Sequence, residues 1–199
     1  MPAGLPTRES PGGRGARRRI LQAARVLFAQ QSINATGVAE LAAAAQVSKR
    51  TLYQHFPGKR ELVLAYLREY EQEPALGPEG VLVRSDLNPR ARLLELFAAA
   101  AADPASPRRG CPFLCAAVEF PDPTDPVHEL AAAHKRAFTE LLTGLARAAG
   151  ARQAEQVGRR LALLYDGAAA GAIVDDGGAA ATEAYAIAAA ILHEAIDRS

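Results

Sequence analysis

Between Ser48 and Lys59 the sequence gathers donors and cations on a stretch too short to bury much surface. Lys49, Arg50, Thr51, Tyr53, Gln54 and His55 follow one another around Leu52, with Phe56 the second inward anchor, and Lys59 comes just after Pro57-Gly58. Lys and Arg can donate to guanine O6 and N7 in a DNA major groove, which discriminates by about 1–3 kcal/mol. Thr51 suits a thymine methyl or a phosphate. Ser48 stands where a helix N-cap belongs, its hydroxyl able to accept from a free amide of the next turn. Ahead of it, Val38, Leu41, Ala42 and Ala45 repeat at helical spacing. The pattern predicts two short helices joined by a tight turn. In that geometry the second helix enters the major groove while the first crosses the backbone.

Thr36-x-x-x-Glu40-Leu41-Ala42, then Val47-Ser48, then Leu52-Tyr53-x-His55-Phe56-x-x-Lys59 resembles the DNA-binding signature of the TetR family of transcriptional repressors. The likeness runs over residues 14–67. It implies that Thr36 contacts a phosphate, although a helix-cap role suits its chemistry equally, and that Tyr53, His55 and Lys59 clamp the DNA backbone. Tyr53 is open to a second role as a half-buried aromatic, and His55 to one as a helix cap or a plain exposed residue. Two positions depart from the pattern. Gln46 occupies a turn position that is usually glycine, where a left-handed backbone carries a steric cost. Arg50 stands where many relatives carry a small residue. The resemblance further implies a homodimer on a palindromic double-stranded operator, released by a small-molecule effector.

Nearly half of the 199 residues are hydrophobic (49%), the aromatic share is 6%, and the net charge is +1. With no alternating strand pattern and no Asn-Gly hairpin, an all-α fold is expected. The net charge conceals an asymmetry: residues 1–68 hold 11 Lys and Arg against 3 acids, leaving 12 against 19 in the rest. A basic N-terminal third on an acidic body fits a nucleic-acid reader with a second module. No run of apolar residues is long enough for a membrane span, and the first residues lack a signal-peptide core. Two cysteines make no disulfide framework, so a reducing, cytoplasmic setting is expected.

The expected domains are a disordered arm over 1–13, a helix-turn-helix head over 14–60 and a helical effector-binding and dimerisation domain over 61–199. Expected helices run over about 14–30, 59–73 (stopped by Pro74), from Pro89 to Ala102, 113–119, 127–149, 153–174 and 181–196. Residues 74–88 are expected to be irregular. Arginines 17, 18, 19 and 25 on the first helix could meet phosphate or simply face solvent.

In the body, Phe97, Cys111, Phe113, Glu119, Phe120, His134, Phe138, Tyr165 and Asp166 are candidates to line an effector pocket, each with ordinary core packing as its alternative. Glu119 and Asp166 would suit a cationic ligand, or an internal ion pair with Arg108, Arg109 or Arg136. Val157, Leu161, Leu164, Ala168 and Gly171, with Ile187 and Ile191, are expected at a four-helix dimer interface. Cys111 and Cys115, four apart, raise a thiol-redox alternative. Scattered histidines give no metal spacing, no cofactor is expected, and the remaining alternative, a small-molecule-converting enzyme, has no catalytic motif behind it.

Overall fold

The computed structural model describes residues 14–73, 78–102, 110–174 and 178–197. The expected arm over 1–13 and the arginines at 108 and 109 lie outside them. Nine α-helices order the described residues: α1 (Arg14–Gln31), α2 (Val38–Ala44), α3 (Lys49–His55), α4 (Lys59–Gln72), α5 (Pro89–Ala102), α6 (Pro112–Glu119), α7 (Pro126–Ala148), α8 (Ala154–Gly171) and α9 (Ala179–Leu192). No strand occurs among them. The fold is all-α, with an N-terminal helix-turn-helix head and a C-terminal helical domain.

The chain divides into two compact units, one ending at Tyr66 and the other starting at Leu67. That boundary falls inside α4, rather than at the expected 60/61. The reason is local: Tyr66 is 3% exposed and meets Phe28 of α1 edge-on, ring centroids 5.3 Å apart, so the first two turns of α4 belong to the head.

In the head, α1 buries Ile20, Ala24 and Phe28, α2 buries Leu41 and Ala42, and α3 buries Leu52 and then Phe56. Full burial of one such side chain contributes about 1.5–3 kcal/mol, so Leu52 and Phe56 suffice to seat a two-turn helix. Helix α2 ends on paired turn bonds, with Val47 N–H donating to Ala42 O (2.9 Å) and Gln46 N–H to Ala43 O (3.0 Å). That closure puts Gln46 in the left-handed region at φ 54°, the position a Schellman ending reserves for glycine.

In the second unit, residues 78–83 form a 3-10 turn where irregular chain was expected. Asp125 caps α7 by accepting from Val127 N–H at 2.8 Å, and Pro126 occupies the first helical position. Helices α7 and α8 pass unusually close. A Cβ on Gly158 would lie 2.8 Å from the Thr143 backbone, so only glycine fits. Leu93, Leu96, Phe97, Phe138, Leu142, Leu161, Ala188 and Leu192 make the shared core of α5, α7, α8 and α9. Helix α9 ends sooner than expected, at Leu192, and gives way to a wider π turn over His193–Asp197.

Candidate nucleic-acid interface and body cluster

Ser48 sets the direction of α3. Its Oγ accepts from Thr51 N–H at 3.0 Å and lies 2.9 Å from Thr51 Oγ1. The cap therefore uses Ser48 and ties up Thr51, which is half-buried. Beyond them Lys49, Arg50, Tyr53 and Gln54 are exposed, Tyr53 at 48%. Gln54 shares this face and can bond adenine bidentately; its exposure a turn after Arg50 was the available signal in the sequence. His55 and Lys59 are half-buried. Lys59 Nζ donates to Asn34 O at 3.3 Å, bridging the start of α4 to the loop before α2.

Thr36 requires a correction. It is fully buried (0% exposed), its hydroxyl donating to Ser32 O at 2.6 Å, while the N-cap of α2 is Gly37 with no side-chain bond. The hydroxyl therefore shapes the loop from inside instead of facing a phosphate or capping the helix. Two arginines of α1 also work internally. Arg19 Nε donates to Ala45 O at 3.0 Å, a cation at the negative end of α2, and the Arg17 guanidinium lies 5.4 Å over the Phe56 ring. Arg17 and Arg18 are both exposed.

The body candidates separate into two neighbouring groups. Phe97 and Tyr165 meet edge-on with centroids 6.1 Å apart, and Phe138 lies 5.1 Å from Tyr165. Beside them Asp166 binds Lys135 Nζ at 2.5 Å. The partner of Asp166 is thus Lys135, not the expected Arg136, because Lys135 shares the inward stripe of α7 with Phe138. In the second group Phe113 stacks on His134, centroids 3.4 Å apart. The His134 ring nitrogens lie 3.6 Å from Glu71 Oε1 and 3.4 Å from Glu79 Oε2. Neither Lys135 nor these two glutamates was anticipated, since charged residues ordinarily read as solvated.

Glu119 and Phe120 sit half-exposed where α6 ends, and the Phe120 carbonyl accepts from His128 Nδ1 at 2.8 Å. Cys111 is buried and Cys115 half-buried. Burial, opposed in part by Lys135, pushes the Cys111 thiol up to about 11. At neutral pH it therefore holds its proton, which works against a thiolate sensor. No group of three or more His, Cys, Asp or Glu able to hold a metal occurs among the described residues.

The expected dimer face is also corrected. Val157, Leu161 and Ala168 are buried in the intramolecular core, with Leu164 and Ile191 packed against it. A Cβ on Gly171 would meet Ala180 at 2.7 Å, so that glycine serves the approach of α8 to α9. Ile187 alone of the seven is exposed, at 40%. Helix α8 instead turns Leu163 (73% exposed), Gly167 and Ala170 outward, with Val174 (87% exposed) just past its end.

A capped, cation-bearing second helix on a three-helix head, joined to a separate helical body, defines a helix-turn-helix transcriptional regulator. The chain matches "Bacterial regulatory proteins, tetR family" over residues 20–66 and "Tetracyclin repressor-like, C-terminal domain" over residues 89–175. It is 30% identical to SCO4454, a TetR-family transcriptional regulator from Streptomyces coelicolor. That superposition covers 91% of this chain and 96% of that one at a TM-score of 0.82. A TetR-family regulator from Cytophaga hutchinsonii shares the fold at 16% identity, with a TM-score of 0.80 over 97% of this chain and 100% of that one. The HTH-type transcriptional repressor KstR2 of Rhodococcus jostii (strain RHA1) is 34% identical over 88 residues, 44% of this chain and 43% of that repressor. The chain belongs to the tetR family of bacterial transcriptional regulators. No described helix is long and apolar enough to cross a membrane.

Proposed function

We propose that this regulator binds a palindromic DNA operator as a homodimer, represses there, and leaves the operator when a small molecule enters its body. One observation carries the DNA reading: Lys49, Arg50, Tyr53 and Gln54 project from a helix whose cap and anchors are all satisfied from within. Lys49 and Arg50 read base edges near the start of α3, with Gln54 behind them. Tyr53, His55 and Lys59 grip the backbone, Ser48 acts as the cap that aims them, and Thr51 reaches DNA only beside its bond to Ser48. Likeness to a named repressor over part of the chain supports repression as the output. The domain plan is a head reading DNA and a body from Leu67 onward that binds effector and partner.

The dimer face in this reading is Leu163, Gly167, Ala170 and Val174 with Ile187, an apolar strip left outside the core. Two-fold pairing sets two α3 helices about 34–36 Å apart, one duplex turn. The effector acts by population shift, binding the shape that cannot hold DNA better by about 1–3 kcal/mol. Selection of bound fragments from random duplex DNA by the full chain tests the proposal. An inverted repeat with half-sites about a turn apart is expected, and recovery of unenriched sequence at low salt overturns it.

A further inference from the structure

Lys135 is held the way proteins hold a free ammonium. Its Nζ lies 2.5 Å from Asp166 Oδ1, 4.5 Å from the Phe138 ring centroid and 5.9 Å from that of Tyr165. A carboxylate and two ring faces attract cations of any origin. The side chains of the pair are only 18% and 24% exposed. A buried ion pair seldom adds stability over apolar residues of the same size, so the fold does not call for this one. The pair also tops an open surface groove of about 740 Å³ between α7 and α8, which both residues line and whose far wall includes Leu163 of the outward strip.

The surroundings favour a cation over an anion. At the preceding residue of α7, Glu71 and Glu79 flank His134 without reaching hydrogen-bond contact, and the buried His134 Nε2 has no hydrogen-bond partner. Two carboxylates thus flank His134, and a third, Asp166, holds the Lys135 ammonium on the next residue. An incoming anion would have to displace Asp166 and sit against ring faces of like sign. An incoming cation displaces only Lys135, whose flexible stem can swing its head into the groove. Arg136 and Arg159 line the same groove, but both are exposed and are screened by salt; Arg147 is already paired with Glu155.

We propose that the effector is an organic ammonium whose head takes the place of Lys135 Nζ in the enclosure of Asp166, Phe138 and Tyr165. The inference rests on the reading that the body binds an effector, and it names that effector's chemistry. The exchange also unties α7 from α8, because the Lys135–Asp166 bond joins them.

Calorimetric titration of the full chain with benzyltrimethylammonium, and separately with benzoate, tests the proposal. The ammonium binds and benzoate does not. Lys135→Met leaves the enclosure empty and binds the ammonium about tenfold tighter, while Asp166→Asn loses it. A pair serving structure alone would not move affinity in opposite directions. Binding of benzoate in place of the ammonium, or no gain in Lys135→Met, overturns the proposal. Should Lys135→Met fail to fold by circular dichroism, Lys135→Gln supplies the same vacancy, and the wild-type contrast between the two probes decides alone. Operator binding is followed in parallel. A chain that holds its operator but ignores the ammonium sinks this proposal and spares the DNA reading. Ammonium binding that releases no DNA supports the site and overturns its role as the effector site.

Discussion

The two units treat charge in opposite ways. Among its described residues the head buries only apolar side chains and one threonine, and it holds Lys49 and Arg50 out in water. The body leaves apolar side chains outside, Val174, Val118 and Leu163 foremost, and draws Lys135, Asp166 and His134 toward its interior. Groups at rest in water can meet an external polyanion without any rearrangement of the protein. Charges already half-desolvated against aromatic rings respond to something small enough to enter. Surface apolar residues meanwhile await another apolar face. The comparison can be broken at three levels: core against surface in the body, exposed cation in the head, and backbone at the turn.

The largest effect is expected from one turn of α8. Leu161→Ala removes a fully buried side chain and should cost about 2–5 kcal/mol, seen as a lowered urea midpoint. Leu163→Asp, two positions on and 73% exposed, should leave the helical content of each protomer intact. It should instead convert the dimer to monomer in sedimentation. If Leu163→Asp stays dimeric, the outward strip is not the interface. If Leu161→Ala dissociates the protein without destabilising the protomer, the face first expected from the sequence was the right one.

That reversal shows what a sequence can and cannot display. Helix α3 was legible because its two apolar anchors and its cations occupy different faces, so Ser48, Leu52 and Phe56 announce the geometry. Helix α8 carries Val157, Leu161 and Leu164 on one side and Leu163, Gly167 and Ala170 on another. Apolar residues surround it, and the inward face is chosen only by contact with α7 and α9. Lys135 was hidden for a related reason. Between His134 and Arg136 it reads as solvated, and only the approach of Asp166 from α8 turns it inward. Thr36 misled because a hydroxyl suits a phosphate, a cap and a buried turn equally well.

In the head, Arg50→Ala should weaken operator binding by about 1–3 kcal/mol and relax the preferred base at one position. Lys59→Ala should weaken all sequences alike and lower the salt dependence by about one counterion. Both are read by fluorescence anisotropy across salt concentrations. Equal loss on every sequence from Arg50→Ala would move that residue from base edge to phosphate.

Cys111 gives the body a pH signature. Its thiol is raised by burial to about 11, so the folded state keeps a proton that the unfolded chain gives up nearer 8.5–9. The stabilisation is complete below that lower value and is lost as pH rises through the higher one. The thermal midpoint of the wild type should fall more steeply between pH 9 and 11 than that of Cys111→Ala. Parallel slopes would place the thiol in water.

The smallest expected change is a gain. Gln46 holds φ 54° in a turn whose bonds from Val47 to Ala42 and from Gln46 to Ala43 are both intact. The geometry is therefore well made and the residue is what strains it. The second unit solves the same problem with glycine. Gly150, at φ 83°, ends α7 with the equivalent bonds from Ala151 to Ala146 and from Gly150 to Arg147. Gln46→Gly removes the Cβ conflict, which amounts to about 1 kcal/mol, against a larger entropy loss for glycine on folding. A net stabilisation of at most about 0.5 kcal/mol is expected by chemical denaturation, with operator affinity unchanged because Gln46 lies outside α3. A fall in affinity without a fall in stability would mean that the Gln46 side chain itself reaches the DNA, extending the reading face of the head into the turn.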